Sequence, residues 1–260
     1  MLRRLTPAFH EKVWGDYKLE PWFPNSEKKI GEVWFDAAGD SPLLIKFIFT
    51  SEKLSVQVHP GDEYAQRHHA SRGKTEMWHI LAAKPGAKIA AGFRESLSPG
   101  DLREAARTGE IEQLLAWHDA RPGETFFIPA GTVHAIGEGL VLCEIQQRSN
   151  VTYRLYDYGR PRELHLDRAV EVSRLEPHAG ASMMQGDTLV HCDYFVTRRI
   201  QVKGSAEIPA ISNSGFLVVL EGSGQIESCA LRTGEVWELG DEASNFRIHG
   251  HLTLLHTNSR

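Results

Sequence analysis

Long apolar runs are missing from this chain. The longest, Leu43 to Phe49, is interrupted by Lys46 and falls far short of the roughly 20 residues that span a bilayer. The first twenty residues, MLRRLTPAFHEKVWGDYKLE, contain no apolar run of seven, so no secretory leader is expected there. A basic excess is also missing. Lys and Arg number 29 against 34 Asp and Glu, for a net charge of -5, which argues against a nucleic-acid partner, since that needs a clustered basic surface. Cysteine is scarce: three residues, at 143, 192 and 229, without metal or redox spacing. An odd count of this kind fits a reducing compartment better than a disulfide framework. Together these absences predict a soluble, cytoplasmic protein with no membrane and no nucleic-acid partner. The 260 residues suffice for one large domain or two smaller ones.

What the chain does have is short β-rich runs and thirteen histidines. Residues 53–59 alternate, with Leu54, Val56 and Val58 on one side and Ser55, Gln57 and His59 on the other. Similar runs follow at 76–81, 125–129, 140–146 and 151–156, set apart by Gly, Pro and Asn. They predict a mainly β chain built as a sandwich or barrel. Between residues 93 and 119 the period changes. Ser98-Pro99-Gly100-Asp101 reads as an N-cap with Pro at the first helical position and an acidic residue three on. Leu102, Ala105, Ala106, Ile111, Leu114 and Leu115 then recur at helical spacing. The pattern predicts a helical insert over about 94–119, in two pieces broken at Thr108-Gly109, and another short helix over 167–174.

After Glu176 a loop, HAGASMMQGDT, leads into a second β-rich block, with strands expected at 189–202, 216–220, 224–228, 235–239 and 252–256. GETFFIP at 123–129 returns as GEVWELG at 234–240. That repeat predicts two copies of one β unit: residues 1–178, carrying the insert, and a smaller, degenerate copy at 179–260.

Two segments carry chemistry. In the first, Ser55 to Pro60, a period of two puts Gln57 and His59 on one face, and Glu76 begins another strand seventeen residues later. In the second, a Gly turn at 123, a strand and a Pro129-x-Gly131 turn deliver His134 onto the next strand. Inward-facing residues of neighbouring strands converge in a small barrel. His59, Glu76 and His134, with Gln57 beside them, then supply two imidazoles, a carboxylate and an amide oxygen. Such a mixed set suits zinc, manganese or iron(II), and with open positions it is catalytic in type.

Gly-x5-Pro-x-Gly-x2-His resembles the second motif of the cupin superfamily, with Glu138 where a trailing Asn is usual. The first cupin motif usually has two histidines and a nearby Glu; here Gln57 takes the first position and Glu76 lies further along. That departure, with SVQVHPGDEYA, GKTEMW, FFIPAGTVHAIGEG and EIQQRSNVTYRLYDYGR, resembles the type I mannose-6-phosphate isomerases in their short bacterial form. The likeness covers roughly residues 12–175. Gly61, His79 and Asn150 depart from the residues common in that family, and the chain is short between Ile30 and Leu43.

The resemblance implies a fold of two cupin (jelly-roll β-barrel) domains, the second without metal, and interconversion of mannose 6-phosphate and fructose 6-phosphate through a cis-enediol. It implies a sugar-phosphate ligand and one divalent metal ion, zinc foremost, on Gln57, His59, Glu76 and His134. Arg154 falls at the family's catalytic arginine and, being a poor base and a fork-shaped donor, is expected to stabilise the enediolate. Lys74 falls at a substrate-contacting lysine. Glu144 is either the base or the group that orients Arg154, and Trp78 is expected to line the pocket. Two alternatives stand beside this reading. A ferrous cupin oxygenase shares the two-histidine, one-carboxylate set, and a non-catalytic sugar-phosphate-binding cupin shares the whole site. Whether the protein is a monomer or a homodimer is left open. Elsewhere the histidines read plainly: His68-His69 as a rim loop, His79 as packing, and His249, His251 and His256 as no metal site. Arg160-Pro161-Arg162 reads as a solvated loop, with a grip on the phosphate as the alternative.

Overall fold

A computed structural model of the chain describes residues 2–37, 39–178, 187–208, 215–240 and 245–260. The boundary expected at 178/179 and most of the loop after Glu176 fall at 179–186, outside the described residues. In chain order, β1 (Leu2–Arg4), β2 (Ala8–Asp16), β3 (Ile30–Phe35), β4 (Leu43–Phe49) and β5 (Val56–Val58) precede helix α1 (Asp62–His69). Strands β6 (Glu76–Ala83) and β7 (Lys88–Phe93) lead to helices α2 (Pro99–Thr108) and α3 (Ile111–Leu114). Next come β8 (Leu115–Asp119), β9 (Thr125–Ile128), β10 (His134–Ile136), β11 (Leu140–Gln147), β12 (Tyr153–Tyr156) and α4 (Leu166–Val172). The remainder is β13 (Thr188–His191), β14 (Phe195–Ile208), β15 (Gly215–Ile226), β16 (Cys229–Arg232), β17 (Val236–Leu239) and β18 (Phe246–Ser259).

The chain is mainly β, and its longest helix starts as expected. The Ser98 hydroxyl accepts from the Asp101 backbone N–H at 3.1 Å, and the Asp101 carboxylate accepts from the Ser98 N–H at 3.2 Å. Gly109, at φ 86°, ends the helix in the left-handed region that glycine tolerates. The insert stops earlier than expected. Residues 115–119 are strand, because this stretch extends the sheet edge beside β7, and pairing overrides the helical spacing of Leu114 and Leu115. His68 and His69 lie on a helix rather than in a loop. The run at 189–202 folds back between His191 and Phe195 into two strands, while 216–228 contributes one strand to Ile226.

Among the described residues three antiparallel sheets result, and none of them closes into the β-barrel the resemblance implies. A six-stranded sheet runs β2-β3-β4-β11-β6-β9, a five-stranded sheet β12-β5-β10-β7-β8, and a seven-stranded sheet β1-β17-β15-β18-β14-β13 with β16 beside β15. Strand alternation gives the six-stranded sheet two different faces. Phe35, Ile45, Phe47, Cys143, Ile145 and Met77 pack with Phe195, Phe216, Val218 and Leu255 of the seven-stranded sheet in one core. Trp34, Lys46, Glu144, Trp78 and Glu76 project from the opposite face, towards the five-stranded sheet.

The internal repeat is structural. Reading from β9, the six-stranded sheet runs β9-β6-β11-β4-β3, and the seven-stranded sheet repeats that order as β17-β15-β18-β14-β13. The turns match as well. Arg121 N donates to the Glu124 carboxylate and Glu124 N to Arg121 O; Arg232 and Glu235 do the same, with Gly123 and Gly234 at φ 89° and 84°. In register, Phe126-Trp78-Glu144-Lys46-Trp34 corresponds to Trp237-Leu217-His256-Arg198-Thr188. Gly215, opposite Leu239, stands where Glu76, opposite Ile128, stands in the first copy. The second copy therefore has no carboxylate at that ligand position.

Candidate metal centre and active site

His59, Glu76 and His134 meet between the five- and six-stranded sheets. Their ligand atoms all lie within 4.8 Å of one another, and all three side chains are buried. Each histidine is aimed by its own backbone surroundings. The Nδ1–H of His59 donates to Val151 O at 3.0 Å and that of His134 to Thr132 O at 2.8 Å, so both Nε2 atoms turn their lone pairs to the centre. Those atoms lie 3.6 and 3.5 Å from the Glu76 carboxylate oxygens. Gly131 makes the delivery of His134 possible. Its φ is 86°, its N–H donates to His59 O at 2.8 Å, and a Cβ there would meet Val172 O at 2.9 Å. Both imidazoles are held neutral by burial, with His134 pushed down to about 3. Burial raises Glu76 to about 7, against the pull of Lys74.

These residues fit a divalent ion. Glu76 Oε1 is buried and has no hydrogen-bond partner, a costly condition for a carboxylate oxygen, and the nitrogen–oxygen donor set is of the right type. Gln57 stands beside the trio: its amide nitrogen is 3.3 Å from His134 Nε2, and its Oε1 accepts from Ser55 at 3.2 Å. Half a turn about the amide exchanges the two atoms. Among the described residues no other group of three such ligands forms; His249 and His251 are exposed and His256 is buried alone.

Register places the remaining side chains. Arg154, Gln57 and His134 stand abreast on β12, β5 and β10. Across from them, Trp34, Lys46, Glu144 and Trp78 stand abreast on β3, β4, β11 and β6. Lys74 Nζ pairs with Glu76 Oε2, lies 3.1 Å from His59 Nε2 and 3.9 Å from Glu144 Oε1. Glu144 also receives Lys46 Nζ at 3.2 Å and the Trp78 indole N–H at 2.9 Å. Burial alone would raise its pKa, but Lys74, Lys46 and the indole outweigh that and hold it down at about 2.

Above this floor lies a cavity of about 400 Å³, walled by Gln57, Lys74, Glu144 and Arg154. Lys12, Lys46, Lys74, Arg154 and Arg162 bring five cations to it, against the carboxylates of Glu32 and Glu144. Trp78 does not line this cavity. It is fully buried behind Glu144 and His134, because its ring fills the sheet beside Phe126. Trp14 and Trp34 form the aromatic wall instead. They, Lys46, Lys12 and Glu32 were not expected from sequence, although Lys12/Trp14 and Glu32/Trp34 both alternate at strand period. Arg162 is bound to Asp157 by two bonds of 2.6 Å, so the 160–162 turn is partly an ordered wall. His79 faces away, bonded to Thr125 at 2.9 Å.

A mainly β, cupin-like fold with a buried His–Glu–His cluster beside a cationic cavity defines a cupin-like protein with a candidate metal centre. No protein-family model matches the chain, but known proteins do. A mannose-6-phosphate isomerase of Streptococcus mutans is 34% identical over 235 residues, covering 84% of this chain and 74% of its own. Mannose-6-phosphate isomerase ManA of Bacillus subtilis is 32% identical over 85% of this chain and 86% of its own. The crystal structure of the mannose 6-phosphate isomerase from Bacillus subtilis superposes with a TM-score of 0.89 at 30% identity, covering 98% of this chain and 99% of that one. The chain belongs to the mannose-6-phosphate isomerase family and is an isomerase. Among the described residues no helix is long and apolar enough to cross a membrane.

Proposed function

We propose that the protein interconverts mannose 6-phosphate and fructose 6-phosphate at a zinc ion held by His59, Glu76, His134 and Gln57. The observation that carries this reading is the cavity, in which five cations and two carboxylates converge and whose wall includes Gln57 and Lys74, the residues in contact with the buried ligand trio. A dianionic sugar phosphate suits that charge balance. Residues 1–178 form the catalytic unit in this reading and 179–260 a unit without metal that covers its outer face; three free cysteines accord with a cytoplasmic setting.

The aldose–ketose step moves a proton between C1 and C2 and develops negative charge on their oxygens. A bound divalent ion supplies Lewis-acid stabilisation of that charge. Among the chain's own groups, burial separates two sets of cations. Lys46 and Lys74 are buried and sit at the reacting end; Lys12 and Arg162, about a third exposed, stand at the mouth and take the phosphate. Arg154 orients the sugar from the five-stranded side and donates to the enediolate oxygens. Glu144, held ionised by Lys74 and Lys46, is the carboxylate of the cavity wall at that end and the group available to accept the carbon-bound proton. It also fixes Lys46 and Lys74 in place. The two tryptophans exclude water from the sugar's flank. A coupled assay of fructose 6-phosphate isomerisation under anaerobic conditions, with zinc restored to the metal-free protein, tests this reading. Turnover supports it; activity that requires oxygen and iron, or binding without turnover, contradicts it.

A further inference from the structure

Arg154 sits on β12, the outermost strand of the five-stranded sheet. One side of that strand pairs with β5, and among the described residues the other has no neighbouring strand to satisfy its backbone. At Arg154 the open side is closed by a single residue. His165 N donates to Arg154 O at 2.8 Å, and Arg154 N donates to His165 Nδ1 at 3.2 Å. The same segment holds the side chain, with Arg154 Nη1 donating to Glu163 O at 2.7 Å. His165 is the residue that precedes α4, yet its side chain makes no cap bond to that helix. Its imidazole is committed to Arg154 instead. An Nδ1 that accepts requires the neutral ring with its proton on Nε2.

We propose that His165 is a positioning residue for Arg154: it completes the backbone pairing of the sheet edge at that residue and so fixes the guanidinium towards the cavity. The inference rests on the reading that Arg154 acts on the substrate. Without the imidazole the Arg154 N–H on the open side loses its acceptor and the pairing there falls to the single His165 N–H to Arg154 O bond; an ångström of displacement at a charged donor is costly to the transition state.

The test is a mutant cycle on metal-loaded protein, measuring kcat and KM for isomerisation together with bound metal. His165→Ala is expected to lower kcat about 10- to 30-fold with KM within about threefold. His165→Asn, whose Oδ1 replaces Nδ1 as acceptor, restores activity to within about threefold of wild type; His165→Gln, whose amide sits at the Nε2 position, does not. In an Arg154→Ala background, His165→Ala costs less than about twofold, because the histidine works through the arginine. Equal losses in both backgrounds overturn the proposal, as does full activity of His165→Ala or equal impairment of the Asn and Gln variants. Where His165→Ala fails to fold, the Asn and Gln pair decides alone. A fully active, metal-loaded Arg154→Ala single mutant instead refutes the role given to Arg154 itself.

Discussion

Lys46 and Glu144 face each other on the neighbouring strands β4 and β11, with Nζ 3.2 Å from Oε1 and side chains 6% and 4% exposed. The lysine also lies over the Trp34 ring, 4.6 Å from its centroid. A buried pair of this kind is retained at a cost in desolvation, which fits a charge held ready for substrate. Lys46→Met is expected to lower stability by about 2–4 kcal/mol, since Lys74 at 3.9 Å only partly compensates Glu144. It is expected to lower kcat by about a hundredfold. Urea denaturation and steady-state kinetics measure the two effects; an unchanged kcat would place the reacting end of the sugar elsewhere.

Arg154→Ala is expected to keep the metal and lose most activity, mainly in kcat, by about 10²–10³-fold. None of its contacts is to His59, Glu76 or His134. A metal-loaded, fully active variant removes the arginine from the mechanism.

Gly131→Ala forces a side chain onto a residue at φ 86° and against Val172 O. The expected loss is about 1–3 kcal/mol of stability, with weaker metal retention because the turn also holds His59 O and delivers His134. Thermal melts and metal content after dialysis check it. A variant as stable and as metal-loaded as wild type contradicts the role of the turn.

Acid stability should fall through two histidines that are not among the candidate metal ligands. His79, near Arg199, and His256, near Arg198, are buried, and burial lowers both pKa values from 6.5 to about 4. The unfolded chain therefore binds more protons below 6.5. Their contribution is intact above that pH, declines as pH falls towards 4, and levels off beneath, by about 3 kcal/mol for each. In His79→Gln and His256→Gln the loss of denaturation free energy between pH 7.5 and 4.5 should shrink accordingly; an unaltered slope contradicts it.

The legible parts of this chain were those with local chemistry. The capping box at Ser98, the glycine at 109 and the Gly-Glu turns at 123 and 234 declare themselves over a few residues. His59, Glu76 and His134 could be grouped because strand period and the Pro-x-Gly turn fix their facing. Lys46 stayed hidden because every residue of β4 is buried, so the strand reads as one apolar run with a blemish. Its alternation becomes visible only once one face is known to meet a core and the other a cavity. Helix α1 buries only Ala65 and thus lacks a periodic apolar face. Residues 115–119 took strand form from their neighbour β7, which no local pattern announces. The correspondence of His256 with Glu144 and Arg198 with Lys46 likewise needed the sheet register.

The central claim is that the His59–Glu76–His134 cluster holds a divalent metal on which sugar-phosphate isomerisation depends. Fructose 6-phosphate turnover and metal content, measured on the same purified sample before and after chelation, address it most directly, with His134→Ala as control. The account predicts about one metal per chain, turnover that disappears with chelation and returns with zinc, and loss of both in His134→Ala. Turnover that persists in protein free of metal, or none in protein that is fully loaded, contradicts it.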